Sequence, residues 1–130
     1  MSKQVIKTDL APAPIGPYSQ AIVANGFLFA SGQIAINPQT GELETSGIQA
    51  ETHQVMKNIE AVLTKANITF EHIVKTTIFL SDMSLFPQVN EVYGSYFKDN
   101  SQAPARETVA VKGLPRGVQI EVSVTAVINL

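Results

Sequence analysis

The 130-residue sequence contains no cysteine. Disulfides, thiolate metal sites and a cysteine nucleophile are thereby excluded. Histidine occurs only as His53 and His72, too few for a His-rich metal site within one chain, and no metal is expected. Charged residues make up 15% of the chain against a 45% hydrophobic share. A surface so short of charge points to coverage by something other than water, and self-association is the simplest source of that cover. The nine lysines and arginines are scattered from Lys3 to Arg116 and the net charge is −2, so the basic face that nucleic acid requires is missing. No stretch approaches the apolar length of a membrane span. The start, Met-Ser-Lys-Gln-Val-Ile-Lys, lacks the apolar stretch of a signal peptide. A cytoplasmic protein without nucleic-acid or membrane partners is expected.

The chain has the length of one ordinary domain and shows no internal repeat, low-complexity tract or linker, so a single domain over residues 1–130 is expected. Pro12, Pro14 and Pro17, with Gly16 between the last two, make Leu10 to Tyr18 an irregular extended loop, because proline fixes φ and removes backbone donors. Two strand-like runs follow, Ser19–Val23 and Phe27–Gln33, joined by Asn25-Gly26, a pair suited to the positive φ angles of a type I′ turn. A further turn is expected around Asn37-Pro38-Gln39-Thr40-Gly41.

Ser46 with Gln49 reads as a capping box opening a helix. Val55, Ile59, Val62, Leu63 and Ala66 recur at helical spacing on its inner face, and Asn67 is its stop. Ile73–Leu80 is β-branched and short, a buried strand. A second helix is expected over Leu85 to Phe97, with Leu85, Val89, Val92, Tyr93, Tyr96 and Phe97 as its apolar stripe. Strands at Glu107–Lys112 and Val118–Asn129 close the chain. In the last, Val118, Ile120, Val122, Val124, Ala126 and Ile128 alternate with polar residues, so its even positions face a core. The pattern predicts an α+β two-layer sandwich with both helices on one face of a mixed sheet. The other face, carrying Val127 and part of Ile73–Leu80, is left for neighbouring subunits.

Few side chains stand out chemically. Arg106 follows Pro104 at the start of a strand, and its guanidinium fork matches a carboxylate in two parallel hydrogen bonds, although such an arginine also serves as a plain surface or interface ion pair. Arg116 lies in a Pro-Arg-Gly turn and is expected to be exposed. Glu121 points away from the apolar even positions. On an open face it is simply solvated; under a partner subunit it becomes desolvated, its pKa rises, and it can act as base or acid near neutrality. Tyr18 either caps a pocket or anchors the proline-rich loop. Gly32, in Ser31-Gly32-Gln33, either lets backbone approach a ligand or marks a bulge. Asn90 sits on the polar side of the second helix, where solvation is the ordinary reading. Phe86 and Met83 read as core, His53 as part of a solvated helix face, and His72 as undistinguished.

Seven segments in order give the chain a resemblance that single residues do not. GPYSQA (Gly16–Ala21), FASGQI (Phe29–Ile34), QVMKNIEAVL (Gln54–Leu63), VKTTIFLSDM (Val74–Met83), NEVYGSYF (Asn90–Phe97), APAR (Ala103–Arg106) and VQIEVSVTAV (Val118–Val127) together resemble the RidA family, the 2-iminobutanoate/2-iminopropanoate deaminases, from Gly16 to Ala126. The resemblance implies a chorismate-mutase-like fold with a mixed six-stranded sheet, assembled as a homotrimer whose sheets form a central β-barrel with helices outside. It implies ligand sites in the clefts between subunits and a cofactor-free hydrolysis of small 2-imino acids to 2-oxo acids and ammonia. By matching position, Arg106 would take the substrate carboxylate, Gly32 would supply a backbone contact, Tyr18, Phe86 and Asn90 would surround the pocket, and Glu121 would position or activate water. One departure is visible. Active bacterial members carry a cysteine two residues after the arginine, where this chain has Thr108. A threonine hydroxyl and its backbone amide still donate hydrogen bonds, so Thr108 is expected to bind ligand without thiol chemistry. The same pocket also suits a non-catalytic regulatory protein that captures 2-oxo acids or similar carboxylates. A ribonuclease role, suggested for some relatives, lacks the basic stripe it would need, and trimer burial would remove most of the apolar surface a chaperone would use.

Overall fold

Apolar residues at alternate positions of the C-terminal segment bury one face of a strand, and the rest of the chain is organised around it. The computed structural model describes residues 2–129. It holds β1 (Gln4–Ile6), β2 (Ala21–Ala24), β3 (Phe27–Ala30), β4 (Ile73–Leu80), β5 (Ala105–Ala110) and β6 (Ile120–Val127), with helices α1 (Ile48–Lys65) and α2 (Phe86–Gly94). The strands form one sheet in the order β1-β2-β3-β6-β4-β5. Only β4 and β5 run parallel; the other neighbours are antiparallel, so the sheet is mixed as expected. Met1 and Leu130 lie outside the described residues.

Ile120, Val122, Val124 and Ala126 of β6 are buried in one cluster with Val55, Ile59, Val62 and Leu63 of α1 and Val89 and Tyr93 of α2. Each such fully buried aliphatic side chain contributes roughly 2 kcal/mol through the apolar area it removes from water. The opposite face of the sheet is open: Phe27 and Phe29 of β3 and Val109 of β5 are 39%, 49% and 42% exposed. β5 lies at the end of the strand order, with one edge unpaired among the described residues.

The hairpin turn is as the sequence predicts, with Asn25 at φ 52 and Gly26 at φ 83. Asn67 ends α1 in the left-handed region at φ 61, where asparagine is tolerated better than most residues. The first-helix cap differs from expectation. Gly47 at φ 129 occupies the N-cap with no side-chain cap bond, while the Ser46 hydroxyl donates to Glu44 Oε1 at 2.5 Å. A nearer carboxylate has taken the hydroxyl that the capping box required. The second helix also ends early: α2 stops at Gly94, and Met83–Leu85 form a separate 3-10 turn capped by Asp82, which accepts from the Ser84 N–H at 2.8 Å. Tyr96 and Phe97 still pack inward, because the Phe70 ring lies 5.3 Å from Tyr96 and 5.8 Å from Phe97 between centroids. Strand bounds shift by a few residues, and β1, with only Ile6 of its three residues buried, carries no pattern the sequence reading detected.

Two buried polar side chains set the loops that matter below. Gln20, 3% exposed, accepts from the Thr8 N–H at 2.7 Å and donates to the Thr8, Ala11 and Pro12 carbonyls at 3.0, 3.3 and 2.9 Å. It thus ties down a proline-rich loop that can make few backbone bonds of its own. Glu51, in the first turn of α1, accepts the N–H groups of Gln119 and Ile120 through Oε2 at 2.9 and 3.2 Å. Burial pushes its carboxyl pKa up, and these two backbone donors oppose the rise. Glu51→Ala leaves both donors without their acceptor and should cost about 2 kcal/mol, whereas Glu51→Gln keeps a carbonyl oxygen in place and should cost less. Urea unfolding of both variants checks this ordering; equal losses would contradict it.

Candidate functional site

The chemistry-bearing side chains gather in two places, one on each face of the sheet. On the helix-covered face Arg106 of β5 lies in register with Thr76 of β4. Its Nη1 donates to Asn90 Oδ1 at 2.7 Å. Its guanidinium carbon stands 5.4 Å from the centre of the Phe86 ring and 5.1 Å from that of Tyr93. Phe86, Asn90 and Tyr93 recur at the i, i+4, i+7 spacing that puts them on one side of α2. The Tyr93 hydroxyl donates to Thr76 Oγ1 at 3.0 Å, which fixes the ring beneath the cation. Burial raises the Tyr93 phenol pKa; the Thr76 bond and the Arg106 charge pull the other way. An arginine offers five N–H donors, so a fork held by Asn90 and two aromatic rings keeps others free for an incoming carboxylate. Thr108, two residues along the same face, has a buried hydroxyl with no hydrogen-bond partner among the described residues. A cavity of about 560 Å³ adjoins this group, bounded by Asn90, Tyr93, Phe97, Asn100, Pro104 and Arg106.

The second group lies on the open face. Gln33 exchanges backbone bonds with Val122, at 2.8 and 3.1 Å, and draws Ser31-Gly32-Gln33 alongside β6. The Glu121 carboxylate then lies against Gly32. A Cβ at position 32 would stand 2.8 Å from Glu121 Cδ, and closer still to Oε2, so a side chain at 32 and this carboxylate position exclude each other. Burial raises the Glu121 pKa. The Tyr18 hydroxyl accepts from the Ile15 N–H at 3.4 Å, and the Ser31 hydroxyl donates to the Ser19 carbonyl at 2.6 Å. A cavity of about 400 Å³ includes Ile15, Tyr18, Ser31, Gly32, Arg116 and Glu121 in its wall.

Arg106, Phe86 and Asn90 thus come together, with Thr108 two positions further along the same strand face, as do Tyr18, Gly32 and Glu121, but the two groups do not meet within one chain. Thr76, beside Arg106, and Phe79, beside Glu121, are three residues apart on β4 and point to opposite faces. With β4 between β5 and β6, strand spacing and rise put the two backbone positions roughly 14 Å apart. Asn90 is not merely solvated, because it holds Arg106. Met83, at 45% exposed, is not core. The sequence reading missed Tyr93 as a support for Arg106, although its spacing from Phe86 and Asn90 was a usable signal. It also passed over Arg116, which is exposed as expected yet stands on the Glu121 cavity with an unexpected φ of 57. The histidines belong to neither group: His53 Nδ1 bonds the Tyr96 hydroxyl at 2.9 Å, and His72 Nδ1 accepts from the Thr69 N–H at 3.2 Å.

Residues 8–128 match the family described as Endoribonuclease L-PSP. A RutC family protein of Aquifex aeolicus is 51% identical, covering 94% of this chain and 97% of its own. A human protein named 2-iminobutanoate/2-iminopropanoate deaminase is 42% identical over 96% of this chain and 90% of its own. Among solved structures, the conserved Rid family protein YyfA of Yersinia pestis, of unknown function, superposes with a TM-score of 0.93 at 52% identity, covering 97% of this chain and 99% of that one.

Gly32→Ala should fold with a stability change below about 1 kcal/mol, since only a flexible carboxylate must move. That move takes Glu121 from its half-buried position, and its carboxyl pKa should fall toward the ordinary range. A carbon-detected NMR titration measures this; an unaltered Glu121 titration would count against the packing described.

Proposed function

Since this chain belongs to the endoribonuclease L-PSP family, the Rid family of the sequence resemblance, we propose that it hydrolyses small 2-imino acids to 2-oxo acids and ammonia at sites shared between subunits. The observation that carries this reading is the division of the chemistry. Arg106 offers a supported, partly unspent fork on one face, and Glu121 is a desolvated carboxylate on the other, with no cation within ion-pairing distance among the described residues. Each group lacks what the other supplies. A homotrimer that sets the β5 edge of one copy against the open face of the next completes three such sites. The exposed Phe27, Phe29 and Val109 give that contact an apolar area to bury.

In the proposed reaction Arg106 holds the substrate carboxylate, Phe86 and Asn90 keep the guanidinium in place, and Thr108 and the Gly32 backbone supply hydrogen bonds. Tyr18 closes the pocket. Fixing the carboxylate fixes C2 of the imine, and orientation is a large share of the rate. Glu121 accepts a proton from water as the water oxygen bonds to C2 and the C=N electron pair moves to nitrogen. It then returns that proton to the nitrogen; as the C–N bond breaks, a lone pair of the carbinolamine oxygen forms the C=O bond, the hydroxyl proton passes to Glu121 and on to solvent, and the 2-oxo acid and ammonia leave. The protonated imine is itself electrophilic, so these steps call on no cofactor. The substrates are short imines such as 2-iminobutyrate and 2-iminopropionate, which arise when pyridoxal-phosphate dehydratases release enamines in the cytoplasm. A nuclease reading gains no support from this surface, with a net charge of −2 and dispersed cations.

Threonine dehydratase can generate 2-iminobutyrate in a coupled assay that follows 2-oxobutyrate release. Loss of the two-point grip in Arg106→Ala removes about 3 kcal/mol of binding and should lower kcat/KM at least about a hundredfold. A base must be unprotonated to act, so the wild-type rate should fall as pH drops through a pKa above the ordinary glutamate range. Glu121→Gln should lose the rate and that pH limb while still binding 2-oxobutyrate. Near-normal turnover by either variant would remove that residue from the mechanism, and binding of 2-oxobutyrate without any rate in the wild type would end the deaminase proposal and mark a regulatory carboxylate binder instead.

A further inference from the structure

We propose that Arg116 is a specificity-determining residue that receives the anionic end of the substrate side chain, so that dicarboxylic 2-imino acids are substrates alongside short neutral ones. The inference rests on the deaminase reading of the same cavity. Pro115–Gly117 form a 3-10 turn in which Arg116 adopts φ 57 and ψ 19, the left-handed region, outside glycine. L residues other than glycine seldom adopt that conformation, and the local chain accepts it without a compensating side-chain bond among the described residues. The turn is closed by the Gly117 N–H on the Leu114 carbonyl and the Val118 N–H on the Pro115 carbonyl, at 3.1 and 3.3 Å. Just beyond it Glu51 holds the N–H groups of Gln119 and Ile120. The side chain therefore projects from an anchored position.

Its charge is unused. Among the described residues the Arg116 guanidinium has neither an ion pair nor a hydrogen bond, unlike Arg106, which is bonded to Asn90. Nor does it neutralise Glu121, whose pKa is raised by burial with no opposing charge. A cation in the same cavity wall as the acid, but not paired with it, is placed to recognise an anion without quenching the base. With the substrate carboxylate on Arg106 of the facing subunit and C2 beside Glu121, the side chain of the substrate extends into the 400 Å³ cavity. Ile15 and Ile36 in its wall suit methylene groups, and Arg116 suits a terminal carboxylate.

The experiment compares kcat/KM for two imines formed in situ by flavin-dependent amino-acid oxidases, one from 2-aminobutyrate and one from glutamate, with semicarbazide as the competing trap. The quantity read is the ratio of the glutamate-derived to the neutral imine. Arg116→Gln should lower it about tenfold, the worth of one charge-assisted hydrogen bond, and Arg116→Lys should recover most of it. Arg116→Gly, which suits the observed φ, should lower the ratio as much while remaining folded, which separates the charge from the backbone. An unchanged ratio in Arg116→Gln overturns the inference, as does a wild type that turns over 2-iminobutyrate but not the glutamate imine. Failure of the wild type on both imines defeats the deaminase reading itself, and this inference with it.

Discussion

A strand side chain can point to only one face of its sheet, and this constraint separates the two groups on which the proposed chemistry depends. Arg106 sits beside Thr76 and Glu121 beside Phe79, three positions apart on the strand between them. Odd separation means opposite faces, whatever the rotamers. No side-chain rearrangement inside one protomer brings the guanidinium to the carboxylate without breaking the register that buries Ile78, Ile120 and Val122. The same alternation that builds the core thus keeps the two proposed groups apart within a lone chain. It also leaves the open face with aromatic surface to cover, so assembly and completion of the site become a single event in the proposed scheme.

Much of the buried polar bonding holds these two candidate half-sites in place. Tyr93, pinned by Thr76, forms the floor under Arg106. Gln20 carries the loop that presents Tyr18. Glu51 fixes the approach to β6, and the Gln33–Val122 bonds bring Gly32 to Glu121. None of these supporting groups needs to touch a substrate. Their effect is to fix position before a ligand arrives, and preorganised groups stabilise developing charge more effectively than groups that must first be ordered.

Periodicity made most of the fold legible: the β6 alternation, the α1 stripe and the Asn25-Gly26 turn each express a local rule. What failed was where a rule had a competitor. Ser46 had the residue type for a cap, but Glu44 was two residues away and took its hydroxyl. β1 was too short to show a period, and α2 yielded to a turn at Gly94 while its aromatic stripe kept its inward direction. The candidate site was suggested by resemblance and only weakly by residue type. Asn90 looks like any solvated helix residue until β5 is placed beside α2, and Arg116 looks like an exposed turn residue until the cavity it borders is drawn. Both are products of tertiary placement, which a single sequence does not encode locally.

The most direct measurement of the shared site mixes two inactive variants. Arg106→Ala and Glu121→Gln chains, each without turnover alone, are co-expressed and the mixed oligomer is assayed on 2-iminobutyrate. If each site takes its arginine from one copy and its acid from the next, random trimers place both intact groups at about one seam in four, and about a quarter of wild-type activity should return. A mixed oligomer as inactive as its parents would contradict the account.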